Sequence, residues 1–178
     1  MSKVSAYYES EAQLEFARTV AGAGVDVTGQ PAFSATYEIT GEGGGAYGLR
    51  IANGLLEIVP GGIPGSDMRV VAAVSEWLQG ADAGFANPFY YYSKRKVNLI
   101  KSLKGTVSLD LSQDDGDNLE GAIIFGDTGE PTVTLRMKAA DYLAMLNGKL
   151  NGQMAFMTGK LKFDGSLPLL MQLAALNR

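Results

Sequence analysis

The segment TVTLRMKAADYLAMLNGKLNGQMAFMTGKLKFDGSLPLLMQLAALN, Thr132 to Asn177, decides the fold, because its hydrophobic period changes along its length. Thr132-Val133-Thr134-Leu135-Arg136-Met137 alternates apolar with polar residues, the pattern of a strand with one buried face. Asp141-Tyr142-Leu143 then opens a helix expected over Ala139 to Leu146, and Gly148-Lys149-Leu150 ends it. A looser helix from Leu150 to Met157 and a strand from Lys160 to Phe163 follow, the strand bracketed by Gly159 and Gly165 as backbone turns. A terminal helix runs from Leu167 to Leu176. Leu167, Leu170, Met171 and Ala174 share one of its faces while Leu169, Leu173 and Leu176 cover another, so little of it favours water.

Upstream, strands are expected at Thr106 to Leu111 and Leu119 to Phe125, joined by an acidic turn. Asn87-Pro88 opens a helix expected to reach Leu103, with Phe89, Tyr92, Leu99, Ile100 and Leu103 on its inner side. Further back, Phe33 to Ile39, Tyr47 to Ala52 and Leu55 to Val59 read as an antiparallel meander broken by Gly43-Gly44-Gly45 and Asn53-Gly54. A strand at Met68 to Ala73 runs into a short helix from Val74, and an opening helix spans Val4 to Val20. This order predicts an α+β fold, an antiparallel or mixed sheet covered by helices. Met68 to Gln79 and Val133 to Ala144 rhyme, each a strand entering an acid-aromatic-leucine step: Glu76-Trp77-Leu78 and Asp141-Tyr142-Leu143. Two organisations follow: a degenerate internal duplication, or one domain with an N-terminal extension. The division is expected between residues 1–86 and 87–178.

Composition narrows the chemistry. A hydrophobic content of 46% in 178 residues supports a buried core. With no cysteine there are no disulfides, thiolate metal sites or thiol nucleophiles, which fits a reducing compartment. With no histidine, every Ser-His-Asp, Cys-His and His-metal arrangement is excluded. The net charge of −4 argues against nucleic acid as a partner. No run of about 18 apolar residues and no signal-like start is present, so a cytoplasmic location is expected. Gly43 to Gly48 matches a dinucleotide glycine spacing, but a strand follows where a helix is required, so it reads as a hairpin turn. Asp110 to Asp117 fails the calcium-loop spacing and reads as a solvated turn. Glu76, Asp141 and Asp164 read as caps or helix-dipole charges in preference to general acids. No catalytic residue, metal or cofactor is expected, and the chain is not expected to be an enzyme.

The ordered series from Thr132 through Asp141-Tyr142-Leu143, Gly148-Lys149-Leu150, Gln153, Ala155-Phe156, Gly159-Lys160-Leu161-Lys162 and Gly165 to Leu176 resembles the sterol carrier protein 2 family. The helix from Pro88 and the strand from Thr106 extend it. Between Leu111 and Thr132 there is room for one return strand where that family commonly has two. The resemblance implies a five-stranded sheet covered by helices, around a hydrophobic tunnel for fatty acyl chains, sterols or similar lipids. Its expected walls are Leu143, Leu146, Met154, Phe156, Met157, Leu161, Phe163, Leu167, Leu170 and Met171. Each of these is open to a second reading as ordinary core, since pockets and cores use the same residue types.

Phe89-Tyr90-Tyr91-Tyr92 precedes Lys94, Arg95, Lys96, Lys101 and Lys104 without an intervening acid. Tyr90, Tyr91, Lys94, Arg95 and Lys96 are therefore candidate contacts to an anionic membrane surface, although inward-packed rings and solvated cations are the favoured reading, since most charged helix faces do nothing more. The function expected is carriage of an apolar small molecule. The alternative is an accessory module that presents an apolar groove to a protein partner.

Overall fold

The computed structural model describes residues 1–24, 26–83, 88–146 and 148–176. The chain begins with α1 (Lys3–Ala6), a π-turn (Tyr7–Glu11) and α2 (Ala12–Ala23), followed by β1 (Phe33–Thr40), β2 (Gly45–Ala52), β3 (Leu55–Pro60), β4 (Met68–Ala73) and α3 (Val74–Ala83). The second half is α4 (Pro88–Ser93), α5 (Val97–Ser102), β5 (Gly105–Ser112), β6 (Leu119–Phe125), β7 (Thr132–Lys138), α6 (Ala139–Leu146), α7 (Gly152–Met157), β8 (Lys162–Gly165) and α8 (Leu167–Leu176). All eight strands form one mixed sheet in the order β3-β2-β1-β4-β6-β5-β7-β8.

Register explains why helices cover a single face. Tyr47, Tyr37, Val70, Ile123, Val107 and Val133 are successive partners across six strands, and all are buried or half-buried. Successive strand residues face opposite sides, so the alternating apolar residues fall into continuous inner rows. Arg50 stands opposite Glu57 and pairs with it at 2.6 Å, while Arg136 stands opposite Asp110 at 3.7 Å on the outer side. These exposed ion pairs contribute at most about 1 kcal/mol each. Burial of a large apolar side chain contributes about 1.5–3 kcal/mol, so the inner rows hold the sheet to its helices.

The meander β1-β2-β3 is antiparallel as the alternation predicts, and β4 returns parallel to β1. In the second half β6 runs antiparallel to β5, and β7 returns parallel to β5. The five strands that the resemblance implies become eight here, because β4 and β6 pair antiparallel, with Met68 opposite Phe125 and Val71 opposite Ala122. β4 thereby occupies against β6 the position that β3 occupies against β2. The short 112–131 connection supplies a single return strand, and β4 fills the remaining seat beside it.

Two helices depart from the sequence reading. The helix expected from Pro88 to Leu103 is broken after Ser93, because Arg95 adopts a left-handed φ of 56°. Its guanidinium donates to the Asp26 carbonyl at 2.7 Å, and Lys96 N–H closes the turn onto Tyr91 O at 2.9 Å. The opening helix widens at Tyr7–Glu11, where Ala12 N–H reaches back five residues to Tyr7 O. Gly165 ends β8 with φ of 116°, and a Cβ there would lie 2.4 Å from Thr132 O, so the turn role expected of it follows from close backbone approach. The 86/87 division falls outside the described residues, as does the backbone of Asn87, expected to open α4.

Candidate functional site

Between the inner face of the sheet and the N-terminal helices lies a cavity of about 130 Å³. Its floor follows from sequence. Along β6 the inward residues are Leu119, Gly121 and Ile123, and along β4 they are Met68, Val70 and Ala72. Gly121 and Ala72 meet at the seam, where a Cβ on Gly121 would be 4.0 Å from the Ala72 Cβ. Two small residues side by side, ringed by Leu109, Leu111 and Leu119, leave a space that the helices do not fill. A glycine inside a strand marks such a close approach or opening.

The roof is aromatic. Tyr7 and Tyr8 come from the π-turn, Trp77 from α3 and Tyr37 from β1. Trp77 Nε1 donates to Tyr8 Oη at 3.1 Å, and Tyr7 Oη donates to the Glu15 carboxylate. Tyr7 and Trp77 meet edge to face with centroids 5.5 Å apart, while Tyr8 stacks on Tyr47 at 4.3 Å. π-turns cluster at functional sites because they break the regular presentation of side chains. Burial, aided for Tyr7 by its bond to Glu15, pushes the Tyr7 and Tyr8 phenols far above their ordinary range. Both stay protonated at working pH and act as polar fittings of an apolar wall, not as bases. Glu76 lies in the first turn of α3, where a negative charge faces the positive end of the helix dipole, and accepts from Ser75 Oγ at 2.5 Å.

Of the C-terminal residues expected to wall a tunnel, none of those whose side chains are described lines this cavity. Leu161 is buried, while Leu143, Phe163 and Leu170 are half-buried. Met154, Phe156, Met157, Leu167 and Met171 on α7 and α8 are more than half exposed, at 52, 52, 70, 51 and 67%. Phe156 and Phe163 are brought together at 5.6 Å. The Leu146 side chain lies outside the described residues.

The basic stretch is corrected in one respect: Tyr91 is 6% exposed and sits in the core, so its ring cannot lie at a membrane surface. Lys96 Nζ donates to the Ala175 carbonyl at 3.3 Å, tying α8 to the segment before α5. Lys94 and Arg95 remain exposed, and the Tyr90 side chain lies outside the described residues. Sequence reasoning missed the seam cavity altogether. The signals available were the inward Gly121 and the adjacent Tyr7-Tyr8 preceding the chain's one tryptophan.

Among the described residues no helix is long and apolar enough to cross a membrane. Peroxisomal multifunctional enzyme A of Dictyostelium discoideum is 39% identical over 89 residues, 46% of this chain and 19% of that protein. Human sterol carrier protein 2 is 37% identical over 59 residues, 33% of this chain and 11% of that protein. The chain thus spans about a fifth or less of the curated relatives it matches. The solution structure of sterol carrier protein domain 2 of Helicoverpa armigera aligns at 24% identity and a TM-score of 0.38, covering 58% of this chain and 81% of that one. The profile of the SCP-2 sterol transfer family matches residues 89–178, from α4 to the C-terminus, and the chain belongs to that family.

Proposed function

We propose that the chain binds and carries an apolar small molecule, a fatty acyl chain, sterol or similar lipid, without transforming it. The observation that carries this reading is the aromatic-roofed cavity over Gly121 and Ala72. Its volume is close to that of an apolar protein cavity able to hold benzene, so a guest seats one end here and extends beyond. The family name, and the printed name of the human relative, both refer to sterol carriage. The complete lack of cysteine supports the cytoplasm as its compartment. An anionic membrane would be met by the exposed Lys94 and Arg95. We also take the two halves as copies sharing one sheet, supported by the matching order of antiparallel and then parallel pairing about β1 and β5.

Trp77 provides the test, since it is the only tryptophan and touches the cavity. Its fluorescence should respond saturably to alkyl alcohols. Affinity should rise about fourfold per methylene, the equivalent of about 0.8 kcal/mol, until the space is full. An affinity independent of chain length would overturn the reading.

A second reading, an accessory module with a docking groove for a protein, rests on the exposed apolar residues of α7 and α8. Relatives several times longer than the matched segment give it a context. Under the carrier reading, replacing Phe156 and Met157 by serine leaves the Trp77 response intact, because neither residue lines the cavity. Native mass spectrometry of the freshly purified chain separates the two, by a bound lipid or a bound protein.

A further inference from the structure

The charge of the cavity walls, taken with the carrier reading on which this inference rests, specifies the polar end of the guest. Glu15 and Glu76 line the cavity, Glu120 borders it with its side chain on the outer face of β6, and among the described residues no lysine or arginine lines it. Glu15 and Glu76 are half-buried, so water screens them less than it does surface carboxylates. Two of the donors that could receive an anion are engaged within the wall: Trp77 N–H is given to Tyr8, and Tyr7 O–H to Glu15. The charged groups of the wall are carboxylate acceptors, and its other donors are neutral tyrosine hydroxyls. The rings of Tyr7 and Trp77 add quadrupoles that attract cations.

We propose that this cavity selects amphiphiles with a cationic amine end and rejects fatty carboxylates. A carboxylate entering here meets like charges in an environment of reduced dielectric, and it loses water without gaining a cationic partner among the described residues. An ammonium end meets the Glu15 and Glu76 carboxylates and two ring systems, while its chain takes the same apolar floor of Leu109, Leu119 and Ile123. The overall charge of −4 acts in the same direction at longer range.

The test uses the full chain and the Trp77 signal, with decylamine, decanol and decanoate titrated at neutral pH and low salt. Decylamine is expected to bind about tenfold or more tightly than decanoate, with decanol between them, and added salt should narrow the gap. Glu76→Gln should reduce the amine-to-carboxylate ratio about threefold by removing one wall charge. Glu120→Gln, on the exposed outer face of β6, should reduce it less, because the sheet separates that charge from the guest and water screens it. Decanoate binding as tightly as decylamine, or a ratio unmoved by Glu76→Gln, would overturn the charge preference while leaving the carrier reading standing. No Trp77 response to any of the three would remove the cavity as a lipid site, and the preference with it.

Discussion

Gly121→Leu is expected to weaken binding of a decyl-chain ligand at least about 30-fold while leaving the melting temperature unchanged or raised. Gly121 is inward-facing on β6, at the floor of the 130 Å³ cavity. It is not among the positive-φ glycines, so a side chain fits its backbone. The nearest atom to an added Cβ is Val71 O at 3.4 Å, an ordinary contact. The leucine branch would then occupy space otherwise filled by two or three methylenes of a guest, worth about 2 kcal/mol. Replacing a strand glycine also removes an entropic penalty of roughly 0.5–1 kcal/mol. Calorimetric unfolding and Trp77 titration on one preparation check both halves of the expectation. Lost stability would make Gly121 a packing requirement, and retained affinity would place the ligand elsewhere.

The alternation of Thr132 to Met137, the meander from Phe33 and the helices after β4 and β7 could all be read from the sequence, because each depends on contacts among near neighbours. The sheet order could not. Pairing of β4 with β6 joins residues more than fifty positions apart, and neither strand's pattern distinguishes its partner from any other strand with one apolar face. The cavity was hidden for the same reason. Gly121 and Ala72 look unremarkable separately, and they form an opening only when the register sets them side by side. The break at Arg95 is equally non-local, since Asp26 holds its side chain from a different helix connection. The cations that follow Tyr91 in sequence leave both an outward and an inward ring open, and a helix that ends at Ser93 turns the ring into the core.

The dependence of the site on that non-local seam leads to the largest stability effect we expect. Ile124 lies on β6 between two partners, opposite Arg69 on β4 and Thr106 on β5, and it does not line the cavity. Ile124→Pro should destabilise the protein by about 3 kcal/mol or more, because proline removes a ladder donor and fits poorly in a strand paired on both sides. That is a large share of the roughly 5–15 kcal/mol typical of a domain. Ile124→Thr keeps the donor and a β-branched side chain at a half-buried position, so it should cost no more than about 1 kcal/mol. The decisive observation is how the proline variant unfolds. If β4 completes the sheet of the second half, both halves depend on one seam, and denaturation should remain a single transition by Trp77 fluorescence in α3 and by backbone circular dichroism. Two separated transitions, with Trp77 reporting a first half that survives alone, would show that the halves fold independently and merely share an edge.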